Sequence, residues 1–197
     1  MKILAFTDMH GRISILEKLR KKAAKCDIVV CCGDFTTFEN EMGALLKMMS
    51  EFGKEIVLVN GNHEDEIEVE RACKQFKNIH FIHGTWYKFR NFIFFGHGGG
   101  GFMNKDPEFE VAAKTFKKEI KPGKKAILVT HGPPYGTLLD LIDDDHVGCQ
   151  SYTSFIEKNK IPLHLCGHLH ENFKVIDEYK ERTAIINPGP DGMIIEI

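Results

Sequence analysis

The chain has 197 residues, of which 43% are apolar and 27% are charged. This balance is typical of a soluble globular protein, and the length predicts a single domain spanning residues 1–197. The formal net charge of −2 lacks the basic excess of nucleic-acid-binding proteins, so no nucleic-acid partner is expected.

Short apolar runs alternate with amphipathic segments along the chain. Six of these runs are continuous stretches of Ile, Val, Leu and Phe rather than alternating ones. Continuous runs are typical of strands that are covered on both faces. The predicted strands are residues 2–6, 28–32, 56–59, 92–95, 126–130 and 163–166.

The segments between the strands show helical patterns. Ser14 and Glu17 have the spacing of a capping box, and Asp106–Pro107 predicts an N-cap followed by proline at the first helical position. The predicted helices are residues 14–25, 39–52, 64–74 and 107 to about 120. A strand-rich tail follows from residue 173. This order of elements predicts an α/β layered sandwich.

The cysteines and the apolar runs also bear on location. The first apolar run is interrupted by Asp8, which argues against a signal peptide, and no run approaches the roughly 20 residues of a membrane span. Six cysteines without a CxxC pair fit reduced thiols, and those in apolar runs (Cys31, Cys32 and Cys166) are expected to be buried. We therefore expect a cytoplasmic protein with no membrane partner.

Asp, Asn and His residues stand at the carboxyl ends of five predicted strands. Loops at this edge of an α/β sheet converge on one crevice, where ligands bind. The residues are Asp8, His10, Asp34, Asn62, His63, His131, His168 and His170. Imidazole and carboxylate groups without cysteine suit Mn, Fe, Zn, Ni or Co. Because one catalytic zinc takes about three protein ligands, so large a set indicates two ions that share a bridging carboxylate.

In chain order these residues form a series of short motifs. The motifs are Asp8-x-His10, Gly33-Asp34, Gly61-Asn62-His63-Glu64, His131 and Gly167-His168-x-His170. The series resembles the complete signature of the calcineurin-like metallophosphoesterases. The resemblance implies a four-layer α-β-β-α sandwich with two mixed sheets. It also implies a metal-dependent phosphoesterase in which a metal-bound hydroxide attacks phosphorus.

The resemblance further implies a role for each residue. The ligands of the two metals would be Asp8, His10 and His170 for one ion, and Asn62, His131 and His168 for the other. Asp34 would bridge the ions as a catalytic group, with manganese the favoured metal. His63 would hydrogen-bond the phosphate and protonate the leaving oxygen. Asn62 would favour substrate binding, because its neutral amide limits the negative charge of the site.

The other histidines give weaker predictions. His97 heads a run of four glycines directly after a strand and is predicted to reach the crevice as a substrate contact. The glycine run is read as a flexible loop, since it lacks the Lys-Ser/Thr of a phosphate-binding loop. His146 is the second candidate substrate contact. His164 is expected to pack inside its strand, and His80 and His83 are expected at the surface.

Residues 130–136, 139–140, 146–149 and 163–171 resemble the MPPED-like branch of the family, which is associated with phosphodiesterase activity. Residues 33–38 depart from the GDxVDRG motif of Ser/Thr protein phosphatases. They lack the arginine that clamps phosphate and the aspartate that partners the catalytic histidine. Phe35 and Phe38 are instead predicted near the leaving group. An apolar leaving-group side favours a small phosphodiester, for example a cyclic nucleotide, over a dianionic monoester.

Three alternatives stay open. The same site would serve a phosphomonoester or nucleotide substrate. Nuclease activity ranks lower, because the chain shows no basic stripe and no capping domain. A metal-free scaffold, such as the retromer subunit of this superfamily, would be expected to lose metal ligands, and none is lost here.

Overall fold

The computed structural model describes all 197 residues, and its elements follow the apolar runs of the sequence. The strands are β1 (Lys2–Phe6), β2 (Ile28–Cys31), β3 (Glu55–Leu58), β4 (Ile79–Phe81), β5 (Trp86–Phe89), β6 (Phe92–His97), β7 (Lys125–Thr130), β8 (Leu141–Ile142), β9 (Asp145–His146), β10 (Leu163–Leu165), β11 (Ile176–Tyr179), β12 (Thr183–Ile186) and β13 (Met193–Glu196). The α-helices are α1 (Ile13–Ala23), α2 (Met42–Ser50), α3 (Glu66–Cys73), α4 (Pro107–Phe116) and α5 (Gln150–Asn159). Short 3₁₀ turns are Lys117–Glu119, Leu138–Asp140 and His170–Asn172.

Two mixed sheets contain all of the strands except β8 and β9, which form a separate hairpin. The first sheet has the order β13-β1-β2-β3-β4 and is antiparallel only between β13 and β1. The second has the order β11-β12-β10-β7-β6-β5 and is antiparallel only at its two ends. Because the central strands are parallel, their carboxyl ends gather along one edge of each sheet.

Three apolar clusters separate four layers. In β1, Leu4 and Phe6 pack against α1 and α2 on the outer face of the first sheet, whereas Ile3 and Ala5 belong to a cluster shared with the second sheet. Successive side chains of a strand point to opposite faces, which explains this division. A third cluster covers the outer face of the second sheet with α4 and α5. The layers are therefore helix, sheet, sheet and helix, which confirms the predicted α-β-β-α sandwich.

The predicted strands and helices are confirmed, with small shifts in their bounds, and one predicted cap is wrong. Helix α1 begins at Ile13, and no side chain caps its N-terminus, so the capping box at Ser14 does not form. The Asp106 side chain accepts a hydrogen bond from Phe109 N at 2.8 Å, which confirms the predicted cap of α4. No helix combines the length and the apolar content that crossing a membrane requires.

Candidate metal centre and active site

The loops that follow β1, β2, β3, β7 and β10 bring the predicted metal ligands together. Asp8 and His10 come from the first loop, Asp34 from the second, and His131 from the loop after β7. A cavity of about 290 Å³ opens at this point. It is lined by Asp34, Asn62, His63, Phe102, Ile142, His168, Leu169, His170 and Glu171.

Asp34 lies at the centre of the cluster. Its Oδ2 atom is 3.5 Å from His131 Nε2, 3.8 Å from His63 Nε2 and 4.0 Å from His10 Nε2. Three groups of side chains have donor atoms that all lie within 4.8 Å of one another. These groups are Asp8–His10–His170, His10–Asp34–His63 and Asp8–Asp34–His131. Two of the three include Asp34, a position that suits a carboxylate bridging two ions.

One ring nitrogen of His131, Nε2, faces oxygen atoms and requires a proton or a metal ion between itself and them. Its Nδ1 lies 2.8 Å from Cys32 O, so Nδ1 carries a proton and donates it to that carbonyl. Its Nε2 then faces two oxygen atoms, Asn62 Oδ1 at 3.0 Å and Asp34 Oδ2 at 3.5 Å. Burial alone would lower the pKa of His131, but the hydrogen bond and charge of Asp34 raise it to about 9. A proton thus occupies the place between these groups that a metal ion fits.

The Asp8 carboxylate also leaves an oxygen free for a metal. Asp8 Oδ2 accepts hydrogen bonds from Thr7 Oγ1 at 2.7 Å and from His168 N at 3.0 Å. Asp8 Oδ1 is buried without a hydrogen-bond partner, and it lies 3.5 Å from His170 Nε2. His168 Nε2 is likewise buried and unpartnered, and the Nε2 atoms of His10 and His170 face each other at 3.3 Å. Such unpaired buried atoms are rare in proteins, and they fit a metal-binding site.

Metal binding requires ionised carboxylates and neutral imidazoles, and Asp34, His10 and His168 meet this condition, whereas His131 would exchange its Nε2 proton for the ion. Burial would raise the pKa of Asp34, but His131 and His63 lower it to about 2. Burial lowers the pKa of His168 to about 4 and also lowers that of His10. Near neutral pH, Asp34 is therefore ionised and His10 and His168 are neutral.

Four of these residues have left-handed backbone conformations. Their φ angles are 52° at Asp8, 47° at His10, 49° at Asp34 and 70° at His168. Such angles are uncommon for residues other than glycine, and they persist only where the surrounding structure enforces them. The loops are therefore shaped by their contacts rather than by local preference.

Glu64 holds two of these loops in place through hydrogen bonds, although the sequence analysis assigned it no role. Its side chain is buried, and Oε2 accepts hydrogen bonds from Asp34 N at 3.0 Å and Gly61 N at 2.8 Å. Oε1 accepts hydrogen bonds from Thr36 N and Thr36 Oγ1, each at 2.8 Å. Glu64 thus ties the loop of Asp34 to the loop of Asn62. The signal was present in the sequence, since Glu64 completes the Gly-Asn-His-Glu motif.

Two glycines of the motifs allow close approach of the loops. A Cβ atom at Gly61 would lie 1.9 Å from Asp34 Oδ1. A Cβ atom at Gly167 would lie 2.0 Å from Thr7 Oγ1 and 2.6 Å from Asp8 Oδ2. Any larger residue would displace a carboxylate of the metal centre.

His63 lies at the rim of the cavity beside an aromatic side chain. Its backbone N donates to Asp34 Oδ1 at 2.9 Å, and its ring is 4.5 Å from the ring of Phe38. Phe38 is 72% exposed, in keeping with the predicted apolar rim. The prediction for Phe35 is wrong, because Phe35 is fully buried in the core beneath α1 and α2.

Of the four predicted substrate contacts, Asn62 and His63 line the metal cavity, whereas His97 and His146 do not. His97 lines a different cavity, where its Nε2 lies 2.9 Å from Asp106 Oδ2. His146 lies on the β8–β9 hairpin, and its Nδ1 is 2.8 Å from Asp140 Oδ1. Ile142 of the same hairpin does line the metal cavity. The substrate contact of His146 therefore stays a prediction.

The remaining histidines and the cysteines do not line the metal cavity. His164 is fully buried and its Nε2 lies 2.7 Å from Thr130 Oγ1, as expected for a packed residue. His80 and His83 are half-buried rather than fully at the surface, and each pairs with a glutamate. All six cysteines are buried free thiols, which confirms the prediction for Cys31, Cys32 and Cys166.

Comparison with known proteins extends these observations. The family model described as calcineurin-like phosphoesterase matches residues 1–172. The chain is 31% identical to an uncharacterized protein of Methanocaldococcus jannaschii, over 99% of this chain and 91% of that protein. Among solved structures, TT1561 of Thermus thermophilus has a TM-score of 0.79 at 18% identity, covering 95% of this chain and 88% of that one. A novel archaeal phosphodiesterase has a TM-score of 0.58 at 18% identity, covering 96% and 84% of the two chains.

Proposed function

The chain belongs to the calcineurin-like phosphoesterase family, a family of dinuclear metal-dependent hydrolases, and we propose that it is a phosphodiesterase acting on a small phosphodiester. The likeness to an archaeal phosphodiesterase is in keeping with this substrate class. The preference for a diester over a monoester depends on the residues that line the cavity.

The observation that carries the proposal is the absence of lysine and arginine from the residues that line the metal cavity. A terminal phosphomonoester is largely a dianion near neutral pH, and proteins usually grip it with arginine or lysine. A diester carries a single negative charge. Arg12 comes from a neighbouring loop, but its guanidinium donates to Met9 O and Asp8 O. The cavity is thus better matched to a diester.

The rim of the cavity supports a substrate with planar apolar groups. Phe38 and Phe102 are 72% and 66% exposed, which is unusual for phenylalanine. Phe38 packs against His63, and Phe102 packs against His168 with 5.0 Å between ring centroids. Exposed aromatic rings stack well on nucleobases, and each such contact contributes about 1–3 kcal/mol. A nucleotide diester, for example a cyclic nucleotide, fits this rim.

The residues of the metal centre have distinct parts in the proposed reaction. When bound, two divalent ions supply a hydroxide nucleophile near neutral pH and offset the charge of the phosphoryl oxygens. Asp34 lies between the candidate ligands of the two ions and would be a ligand of both. Asn62 contributes a neutral amide oxygen, which keeps the site attractive to an anion. Protonated His63 donates a proton to the leaving oxygen and becomes a neutral imidazole, a role that suits its place in the cavity lining with Nε2 3.8 Å from Asp34 Oδ2.

The choice of metal and the location are part of the same proposal. The candidate ligands combine imidazole, carboxylate and amide groups, a mixture that suits Mn, Fe, Ni, Zn or Co. Manganese is favoured among them. Six free thiols fit the reducing cytoplasm, where we place the reaction.

The test compares hydrolysis of bis-p-nitrophenyl phosphate and p-nitrophenyl phosphate by protein stripped with EDTA and reloaded with Mn, Ni, Fe or Zn. We expect metal-dependent cleavage that favours the diester. Asp34→Asn and His63→Ala are expected to lower kcat by at least about 100-fold. Asp191→Asn, the same chemical change at the exposed surface, is the matched control and should retain activity.

Each contrary outcome has a distinct meaning. Preference for the monoester would keep the metal chemistry and overturn the proposed substrate class. Full activity in the Asp34→Asn variant would overturn the role of the carboxylate. No hydrolysis of either compound with any metal would favour a non-catalytic scaffold.

A further inference from the structure

One charged side chain of the metal cavity has no part in the reaction proposed above. Two carboxylates line the cavity, those of Asp34 and Glu171. Asp34 is a candidate ligand of the metal ions, whereas Glu171 belongs to none of the groups that could hold an ion. Glu171 is exposed, and no lysine or arginine of the cavity lining offsets its charge. An anion that enters the cavity therefore meets a negative charge that the metal ions do not take up.

The backbone of Glu171 is held in place on both sides. Glu171 is the middle residue of the 3₁₀ turn that follows β10. The residue before it, His170, is a candidate metal ligand. The residue after it, Asn172, donates through Nδ2 to Leu139 O and Leu141 O, each at 3.0 Å. These contacts tie the turn to the start of the β8–β9 hairpin and fix Glu171 beside the metal centre.

The size of the cavity brings a bound phosphoryl group within reach of this charge. A sphere with the cavity's volume of about 290 Å³ is about 8 Å across, which is similar to the Debye length of about 8 Å at physiological ionic strength. Dissolved salt therefore screens the repulsion between Glu171 and a bound phosphate only in part. A terminal monoester carries up to one more negative charge than a diester near neutral pH. Because Coulomb repulsion is proportional to charge, the monoester is penalised about twice as much.

We propose that Glu171 is a specificity-determining residue that excludes dianionic phosphates from the metal cavity. Proteins gain specificity by repelling the wrong ligand as well as by attracting the right one. The absence of lysine and arginine withholds the attraction that a second negative charge needs, and Glu171 adds a repulsion against it. This role rests on the proposed phosphodiesterase function, whose substrate class Glu171 enforces.

The experiment measures binding, by calorimetric titration of two anions into the Mn²⁺-loaded protein at about pH 8. Phenylphosphonate is largely a dianion at this pH, and its monomethyl ester is a monoanion of similar shape. Methoxide is a poor leaving group, so neither ligand is consumed during the titration. In Glu171→Gln we expect phenylphosphonate to bind about tenfold more tightly and the methyl ester about threefold. The same variant should raise kcat/KM for p-nitrophenyl phosphate about threefold relative to bis-p-nitrophenyl phosphate.

Two further variants separate charge from structure. Glu171→Asp keeps the carboxylate and should keep the wild-type ratio of the two affinities. Glu178→Gln makes the same change as Glu171→Gln at an exposed position of β11 outside the metal cavity, and it should leave both affinities unchanged.

The possible failures have different meanings. Unchanged binding in Glu171→Gln, or equal tightening of both ligands, would overturn the role of Glu171. Wild-type protein that binds both anions and shows the expected response to Glu171→Gln, but does not hydrolyse bis-p-nitrophenyl phosphate, would overturn the proposed function alone. Failure of both anions to bind the loaded wild-type protein would overturn both proposals.

Discussion

The substitution Glu64→Gln should weaken both the fold and the metal centre, although it changes a single atom. The carboxylate of Glu64 accepts hydrogen bonds from two backbone N–H groups through Oε2, and from the backbone and hydroxyl of Thr36 through Oε1. Glutamine keeps only one accepting oxygen. If that oxygen replaces Oε2, the amide NH₂ faces Thr36, whose hydroxyl can turn to accept but whose backbone N–H cannot.

The magnitude follows from these contacts. One buried N–H loses its acceptor, which costs about 1–3 kcal/mol. The hydrogen bonds from Asp34 N and Gly61 N change from a charged to a neutral acceptor, the bond with the Thr36 hydroxyl reverses direction, and each of the three loses about 1 kcal/mol. Removing a buried charge offsets part of this loss, since burial raises the pKa of Glu64 and thus disfavours its ionised form. We expect a net destabilisation of about 2–4 kcal/mol.

The assay is thermal unfolding of the EDTA-treated variant, with calorimetric titration of Mn²⁺ into the folded protein. A change of about 2–4 kcal/mol in a chain of this size lowers Tm by about 5–12 °C. The weaker hydrogen bond from Asp34 N, together with the lost bond from Thr36 N, should weaken Mn²⁺ binding by about 10–100-fold. Glu17→Gln, at an exposed position of α1, is the matched control. A Tm within about 2 °C of wild type, together with unchanged Mn²⁺ affinity, would refute the argument that Glu64 shapes the site.

Three further predictions address other parts of the molecule. Burial lowers the pKa of His164 to about 3, so below pH 6.5 the unfolded chain binds a proton that the folded chain does not. The EDTA-treated wild-type protein should therefore lose stability as the pH falls from 7.5 to 5.5, and His164 should account for about 1.4 kcal/mol of this loss. In His164→Gln the loss, measured by urea denaturation, should be smaller by that amount. Gly167→Ala should destabilise the protein by about 1–3 kcal/mol and weaken Mn²⁺ binding, whereas Gly132→Ala, whose Cβ would meet nothing closer than 3.6 Å, should unfold like wild type. Phe38→Ala and Phe102→Ala should each raise KM for bis-p-nitrophenyl phosphate about 5–20-fold with kcat within about twofold, measured by steady-state kinetics.

The location of the candidate site could be predicted from the sequence because it depends on short segments of the chain, each an apolar run and the residues that follow it. Continuous apolar runs identify parallel strands, and a parallel strand delivers its next residues to a common edge. Asp8, Asp34 and His131 each follow such a run directly. Their meeting in space follows from topology alone, without knowledge of any side-chain contact.

Other features depend on contacts between distant segments and could not be predicted from local patterns. Phe35 and Phe38 are three residues apart, yet one is buried in the core and the other is 72% exposed. The turn between them is set by Glu64 through Thr36, 28 residues away in the chain. His97 was expected to reach the crevice as a substrate contact, but it is the last residue of β6 and pairs with Asp106 at the start of α4.

The division between floor and rim determines how substitutions in this protein should act. The floor consists of buried polar groups on left-handed backbone, held by Glu64 and by glycines that admit no side chain. Strained residues of this kind persist because the flanking parallel strands are fully packed on both faces. The rim consists instead of exposed side chains such as Phe38 and Phe102. Changes in the floor should therefore alter metal affinity and stability together, whereas changes in the rim should alter substrate preference while leaving the metal centre intact.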